Sequence, residues 1–193
     1  MKYPLLLCAL GAASLPAMAV SPAWDYVQAT YVQADIESPV GDFKPKGVIP
    51  YISKKITDDI FVAGSYSQID DTWQGVDMDV TQGTAGVGYR YGLNQTTDVY
   101  GILSYEYADI EYASALGTLT TDDDGYGLTA GVRSMVMPNV ELKGSVRYID
   151  TTDSTTSVNV GADYLISPEF AVGLNYDMGD DVDVFGVNAR YNF

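Results

Sequence analysis

The 193-residue sequence predicts an all-β fold: a transmembrane, antiparallel, up-and-down β-barrel, with ten strands as the favoured number. Three observations predict it. Apolar and polar residues alternate with period two over segments of about ten residues. One strand pattern recurs four times along the chain. Short turns and long acidic stretches alternate as connections. No segment after Val20 supplies the ~20-residue apolar run that a spanning helix needs.

The alternation is clearest at the end of the chain. Phe185, Val187, Ala189, Tyr191 and Phe193 share one face, and Gly186, Asn188, Arg190 and Asn192 the other. Before it, Phe170, Val172, Leu174, Tyr176 and Met178 oppose Ala171, Gly173, Asn175 and Asp177. The segment from Ser157 to Ile166 follows the same rule. In the repeat, a polar residue (Asp59, Asp98, Asn139 or Glu169) starts each copy, and apolar residues or Gly follow one, three and five positions on. A small polar residue comes six positions on: Ser65, Ser104, Ser145 and Asn175. A strand of one kind recurring at intervals implies repeated hairpins.

The short turns are 57–59, 94–97, 137–139 and 167–169; longer acidic stretches lie near 36–46, 69–78, 109–124, 150–156 and 178–182. These connections delimit strands near 23–35, 46–56, 59–69, 78–91, 97–109, 123–136, 139–150, 155–166, 169–178 and 182–193. The second is the weakest, because Pro50 interrupts it and Lys54-Lys55 blur its face. Loss of one hairpin would leave eight strands.

The distribution of charge decides which face is outside. The apolar face is rich in Tyr and Val. The opposite face carries the cations Arg90, Arg133, Lys143, Arg147 and Arg190 and the anions Glu106, Glu141, Asp163 and Asp177. A soluble β-sandwich or lipocalin-like barrel would turn those charges outward and crowd large Tyr, Phe and Leu side chains into a small lumen. The inverted arrangement has no such conflict, and in a bilayer a closed barrel satisfies every backbone polar group. Buried charges must pair or stay wet. A salt-bridge network filling the lumen is therefore expected, with a charged pore constriction as the alternative.

Residues 1–19 read as a secretory signal, with Lys2 as the positive start, an apolar run from Leu5 to Ala13, and Ala17-Met18-Ala19 as the cleavage pattern. Cleavage leaves a barrel domain over 20–193 and removes Cys8, the single cysteine. The net charge of −16 argues against nucleic acid as a partner. The absence of His excludes His-dependent triads and His metal sites. Carboxylate-only catalysis, for instance by Asp77 with Asp180, would need a tuned pair that nothing in the sequence brings together. The reading is thus of a non-enzyme without a cofactor. The acidic clusters Asp122-Asp123-Asp124 and Asp180-Asp181-x-Asp183 supply oxygen ligands of the kind Ca²⁺ takes, without EF-hand spacing; solvated loop faces are the plainer reading.

The ending Phe185-Gly186-Val187-Asn188-Ala189-Arg190-Tyr191-Asn192-Phe193 resembles the C-terminal signal of bacterial outer-membrane proteins. The mature chain is similar to small outer-membrane β-barrels, the OmpX/Ail-like class in the broad sense. It looks closer to the Ax-type outer-membrane proteins of xanthomonads in segments such as Val87-Gly88-Tyr89-Arg90-Tyr91 and 124–134. The resemblance implies the outer membrane of a Gram-negative bacterium, surrounding lipid and lipopolysaccharide, and a monomer. It also implies that the barrel-assembly machinery reads Phe185, Val187, Ala189, Tyr191 and Phe193. It carries over no catalytic residue. The function expected is structural or surface-interacting, with a narrow channel for water, ions or small solutes as the alternative.

Overall fold

A computed structural model describes residues 21–38, 41–43, 45–73, 76–114, 117–179 and 182–193. The signal segment and Asp180 and Asp181 lie outside the described residues. The wall consists of β1 (Tyr26–Ser38), β3 (Lys46–Lys55), β4 (Ile60–Trp73), β5 (Val76–Gly92), β6 (Thr97–Ser114), β7 (Gly117–Met137), β8 (Val140–Asp150), β9 (Ser154–Leu165), β10 (Phe170–Met178) and β11 (Val182–Asn192). A three-residue strand, β2 (Gly41–Phe43), continues the first hairpin above Pro45 by pairing with Ile36–Ser38. Each wall strand pairs antiparallel with its sequence neighbours, and β11 pairs with β1 to close the barrel. The ten strands are those expected from the alternation.

Pro50 does not abolish its strand. It pairs with Ala29 of β1 on one side, whereas the ladder to β4 skips Ile49 and Pro50. The missing N–H costs local pairing and leaves the strand in place.

The short turns are built by side-chain oxygens at their first positions. Thr57 Oγ1 accepts from the Ile60 amide at 2.9 Å, Asn94 Oδ1 from the Thr96 amide at 2.8 Å, and Ser167 Oγ from the Phe170 amide at 3.1 Å. Such oxygens stand in for the turn's missing backbone acceptor. At the fourth turn the register shifts between Met135 and Met137, a bulge that lets β7 turn at once into Pro138-Asn139.

The opposite end departs from expectation in extent. The acidic stretches near 69–78 and 109–124 are largely strand. β6 and β7 pair continuously from Thr97↔Ser134 to Ser114↔Gly117. β10, at 9 residues, is about one tilted membrane span, and β6 and β7, at 18 and 21 residues, run far beyond it. In β6 the acids Asp109 and Glu111 fall on the face that is apolar at Val99, Leu103, Tyr105 and Tyr107, and in β7 every position from Thr120 to Asp124 is polar, so the apolar stripe ends before the ladder does.

The faces are inverted relative to a soluble barrel. Phe170, Val172, Leu174, Tyr176 and Met178 are all exposed, as are Phe185, Val187, Tyr191 and Phe193. The buried set is mostly polar and includes Ser53, Asp98, Glu106, Arg133, Glu141, Asp163, Asn188 and Arg190. An apolar exterior around a polar interior is the arrangement hydrocarbon solvent demands.

Candidate functional site

The site is the lumen, and it divides into two levels. At the short-turn end, Glu141 is fully buried between two guanidinium groups: Arg133 Nε donates to its Oε1 at 2.6 Å and Arg190 Nη2 to its Oε2 at 2.7 Å. Arg190 also reaches Asp163 through Nη1 at 3.1 Å, so it bridges two carboxylates. Lys143 Nζ contacts both oxygens of Asp163, at 3.1 and 2.9 Å, and Asn188 Nδ2 donates to Oδ1 at 2.9 Å. These residues come from β7, β8, β9 and β11, and cross-strand register brings them together: Glu141 faces Asp163, and Arg133 faces Lys143. Buried charges are tolerated where each is paired and hydrogen-bonded, and removing one member strands the others.

Two residues absent from the sequence-derived set complete this level. Asp98, which the repeat marked only as a turn residue, is buried and accepts from Arg90 Nη1 at 3.1 Å and Trp24 Nε1 at 2.7 Å. Trp24 precedes β1 and folds into the barrel mouth. Its ring centroid lies 4.5 Å from that of Phe61 and 5.2 Å from that of Tyr100, and Arg133 sits 4.6 Å above it. Its carbonyl accepts from Ser53 Oγ at 2.7 Å. Trp24 falls at the start of the first expected strand, near 23–35, but carries no charge that would have marked it as a lumen residue. Phe61 points inward from β4, and Gly88 leaves the space its ring occupies.

Midway up, Arg147 Nη2 donates to Glu106 Oε2 at 2.6 Å and to Thr84 Oγ1 at 3.1 Å. Ser104 Oγ donates to Glu106 Oε1 at 2.5 Å. Between this pair and the buried network the lumen holds a cavity of about 370 Å³, lined by residues such as Thr30, Ser65, Thr84, Ser145, Arg147 and Asn175. Asp177 borders that cavity. It accepts from Asn159 Nδ2 at 3.4 Å and has no ion pair among the described residues, in contrast to the other eight charges expected in the lumen. Its strand is short and no cationic side chain lies opposite: its register partners are Val184 and Asn159.

Space inside is uneven. A Cβ on Gly173 would collide with Asp163 Oδ1 and the Ala162 carbonyl, so this lumen-facing glycine is required for the Asp163 carboxylate to sit where it does.

The acidic clusters do not assemble. Asp122, Asp123 and Asp124 lie on β7, so successive side chains point to opposite faces. Asp123 accepts from the amide and hydroxyl of Thr152, both at 3.1 Å; these bonds, the backbone one foremost, hold its carboxyl below the usual range. Asp183 accepts from the Tyr176 hydroxyl at 2.8 Å. Among the described residues no group of three acidic or sulfur ligands converges. The C-terminal residues Phe185, Val187, Ala189, Tyr191 and Phe193 all face outward on β11 and just beyond it.

A family model described as the outer membrane protein beta-barrel domain matches residues 5–193. Among solved structures, the chain is similar to Ail, the attachment invasion locus protein of Yersinia pestis (17% identity, 86% of this chain and 97% of that one, TM-score 0.50). It is also similar to the NanC porin (6%, 86% and 100%, 0.56) and to the beta domain of the Bordetella autotransporter BrkA (15%, 89% and 100%, 0.52). At these identities the likeness is one of fold. No curated protein matches the sequence.

Proposed function

Since the chain belongs to the outer membrane protein β-barrel domain family and is located in the outer membrane of a Gram-negative bacterium, we propose that it is a closed structural barrel that presents acidic strands and loops at the cell surface. The short turns then face the periplasm and the long β6–β7 hairpin projects outside, as in outer-membrane barrels generally. The observation that carries this reading is the buried bridge Glu141–Arg190–Asp163, flanked by Arg133, Lys143 and the Trp24 ring. It fills the periplasmic end with interlocked charges of both signs, whereas a selectivity ring more naturally carries one sign. Catalysis has no part in the reading, because the lumen carboxylates other than Asp177 are engaged by fixed cations.

Export through residues 1–19, recognition of the outward C-terminal aromatics by the assembly machinery, and contacts of the acidic rim with lipopolysaccharide belong to the same proposal. The deciding experiment is planar-bilayer recording on refolded protein. The wild type and Arg190→Ala should both be silent, and Arg190→Ala should unfold at lower urea. Steady openings in the wild type, or large currents in a normally stable Arg190→Ala, would replace the closed barrel with a channel.

A further inference from the structure

We infer that the periplasmic half of the lumen holds a buried site for one small monovalent anion of halide size. The first ground is a local charge count. At this level four cations, Arg90, Arg133, Lys143 and Arg190, face three carboxylates, Asp98, Glu141 and Asp163. The excess is positive inside a chain whose net charge is −16. Asp177, which would balance it, lies in the upper cavity and is engaged by Asn159.

The second ground is unpaired donors. Arg133 is 4% exposed and uses Nε for Glu141, and both of its terminal nitrogens, Nη1 and Nη2, are buried without a hydrogen-bond partner. Arg190 Nε is in the same condition. Stacking on Trp24 and Tyr26 stabilises the guanidinium face of Arg133 but supplies no acceptor for its in-plane N–H groups. Buried donors of a charged group require an acceptor.

The third ground is space. A cavity of about 60 Å³ adjoins these side chains, lined by Arg133, Arg190 and Lys143 together with Tyr26, Tyr51 and Tyr100. That volume is enough for a monatomic anion. Tyr26, Tyr51, Tyr100 and Lys143 also line the floor of the upper cavity, so the ion enters from the loop side. The site needs no pore and stands whether or not the barrel conducts.

The test measures urea unfolding of the refolded full-length barrel in chloride, bromide and gluconate at constant ionic strength. In wild type, once the halide exceeds its Kd, the unfolding constant should fall about tenfold for each tenfold rise in halide, the linkage expected for one bound ion. Gluconate should give no such dependence. Arg133→Met should abolish the halide dependence. Should that variant not fold, Ser145→Asp decides instead: Ser145 lines the cavity, and its replacement supplies a fixed carboxylate that should make stability independent of halide. A bromide-soaked crystal should show an anomalous peak beside Arg133. Halide independence in wild type, an equal dependence in Ser145→Asp, or no bromide peak would overturn the proposal and leave water as the acceptor.

Discussion

The two halves of the lumen solve the same problem differently. Towards the short turns, polar groups are charged, enclosed and interlocked, with Glu141, Asp163, Asp98 and Arg190 nearly or wholly buried. Towards the loops, mostly uncharged side chains, hydroxyls and amides among them, line an open cavity of about 370 Å³. The lesson concerns where ionised side chains can be placed. A charge needs several partners at fixed distances once water is excluded, and only the half capped by Trp24 excludes it. The wetter half does without them, Asp177 and the Arg147–Glu106 pair excepted.

Six substitutions, in four tests, would break or sharpen that contrast. The largest effect is expected from Glu141→Ala, which strips both Arg133 and Arg190 of a carboxylate. It should destabilise by about 3–5 kcal/mol in urea refolding, whereas Asp177→Ala in the upper half should stay within about 0.5 kcal/mol. Next comes the inside–outside contrast. Leu174→Arg puts a charge on the lipid face at the centre of β10 and should cost about 2–4 kcal/mol near the midplane. Ser65→Arg points into the upper cavity and should cost far less in the same assay; equal losses would mean that the cavity is not open to water.

Packing gives a smaller step. Gly88→Ala forces the Phe61 ring off its position beside Trp24 and should cost about 1–3 kcal/mol. The smallest effect is at the periplasmic rim. Partial burial alone would raise the Asp25 pKa, but the Lys55 amide at 2.8 Å and the ammonium groups of Lys54 and Lys55 at 3.3 and 3.7 Å outweigh it and hold it below its usual value. A depressed folded-state pKa gives stability that is present above the unfolded pKa of about 3.9 and lost as pH falls through the folded value. Asp25→Asn should therefore flatten the acid limb of the stability profile slightly and leave neutral pH nearly unchanged, since the pair is a rim contact.

Much of this was legible in the chain. The faces of β9, β10 and β11 follow residue by residue from alternation, because lipid outside and polar groups inside impose opposite chemistry on successive positions. Cations such as Arg133 and Arg190 were visible for the same reason. What escaped has physical causes too. Trp24 sits at the start of the first expected strand without a charge to mark it as a lumen residue, and Asp98 sits at a strand start where turn and lumen residues look alike. The partner of each charge depends on cross-strand register, which one strand's composition does not encode. In the upper parts of β6 and β7 acids take over the face that is apolar lower down, as at Asp109 and Glu111, so no continuous apolar stripe marked them as strand.

The seam between the first and last strands has a consequence in time. Tyr26 pairs with Asn192 and the Phe193 amide donates to the Asp25 carbonyl, so closure joins segments from opposite ends of the sequence. Every other ladder between wall strands links neighbours in the chain and can zip locally. Until β11 docks, β1 and β10 each present an open edge, and Arg190 is not yet between Glu141 and Asp163. The ion network is therefore a late-forming lock. Hairpins fold on their own schedule, and the interior acquires its final charge balance only when the last strand arrives.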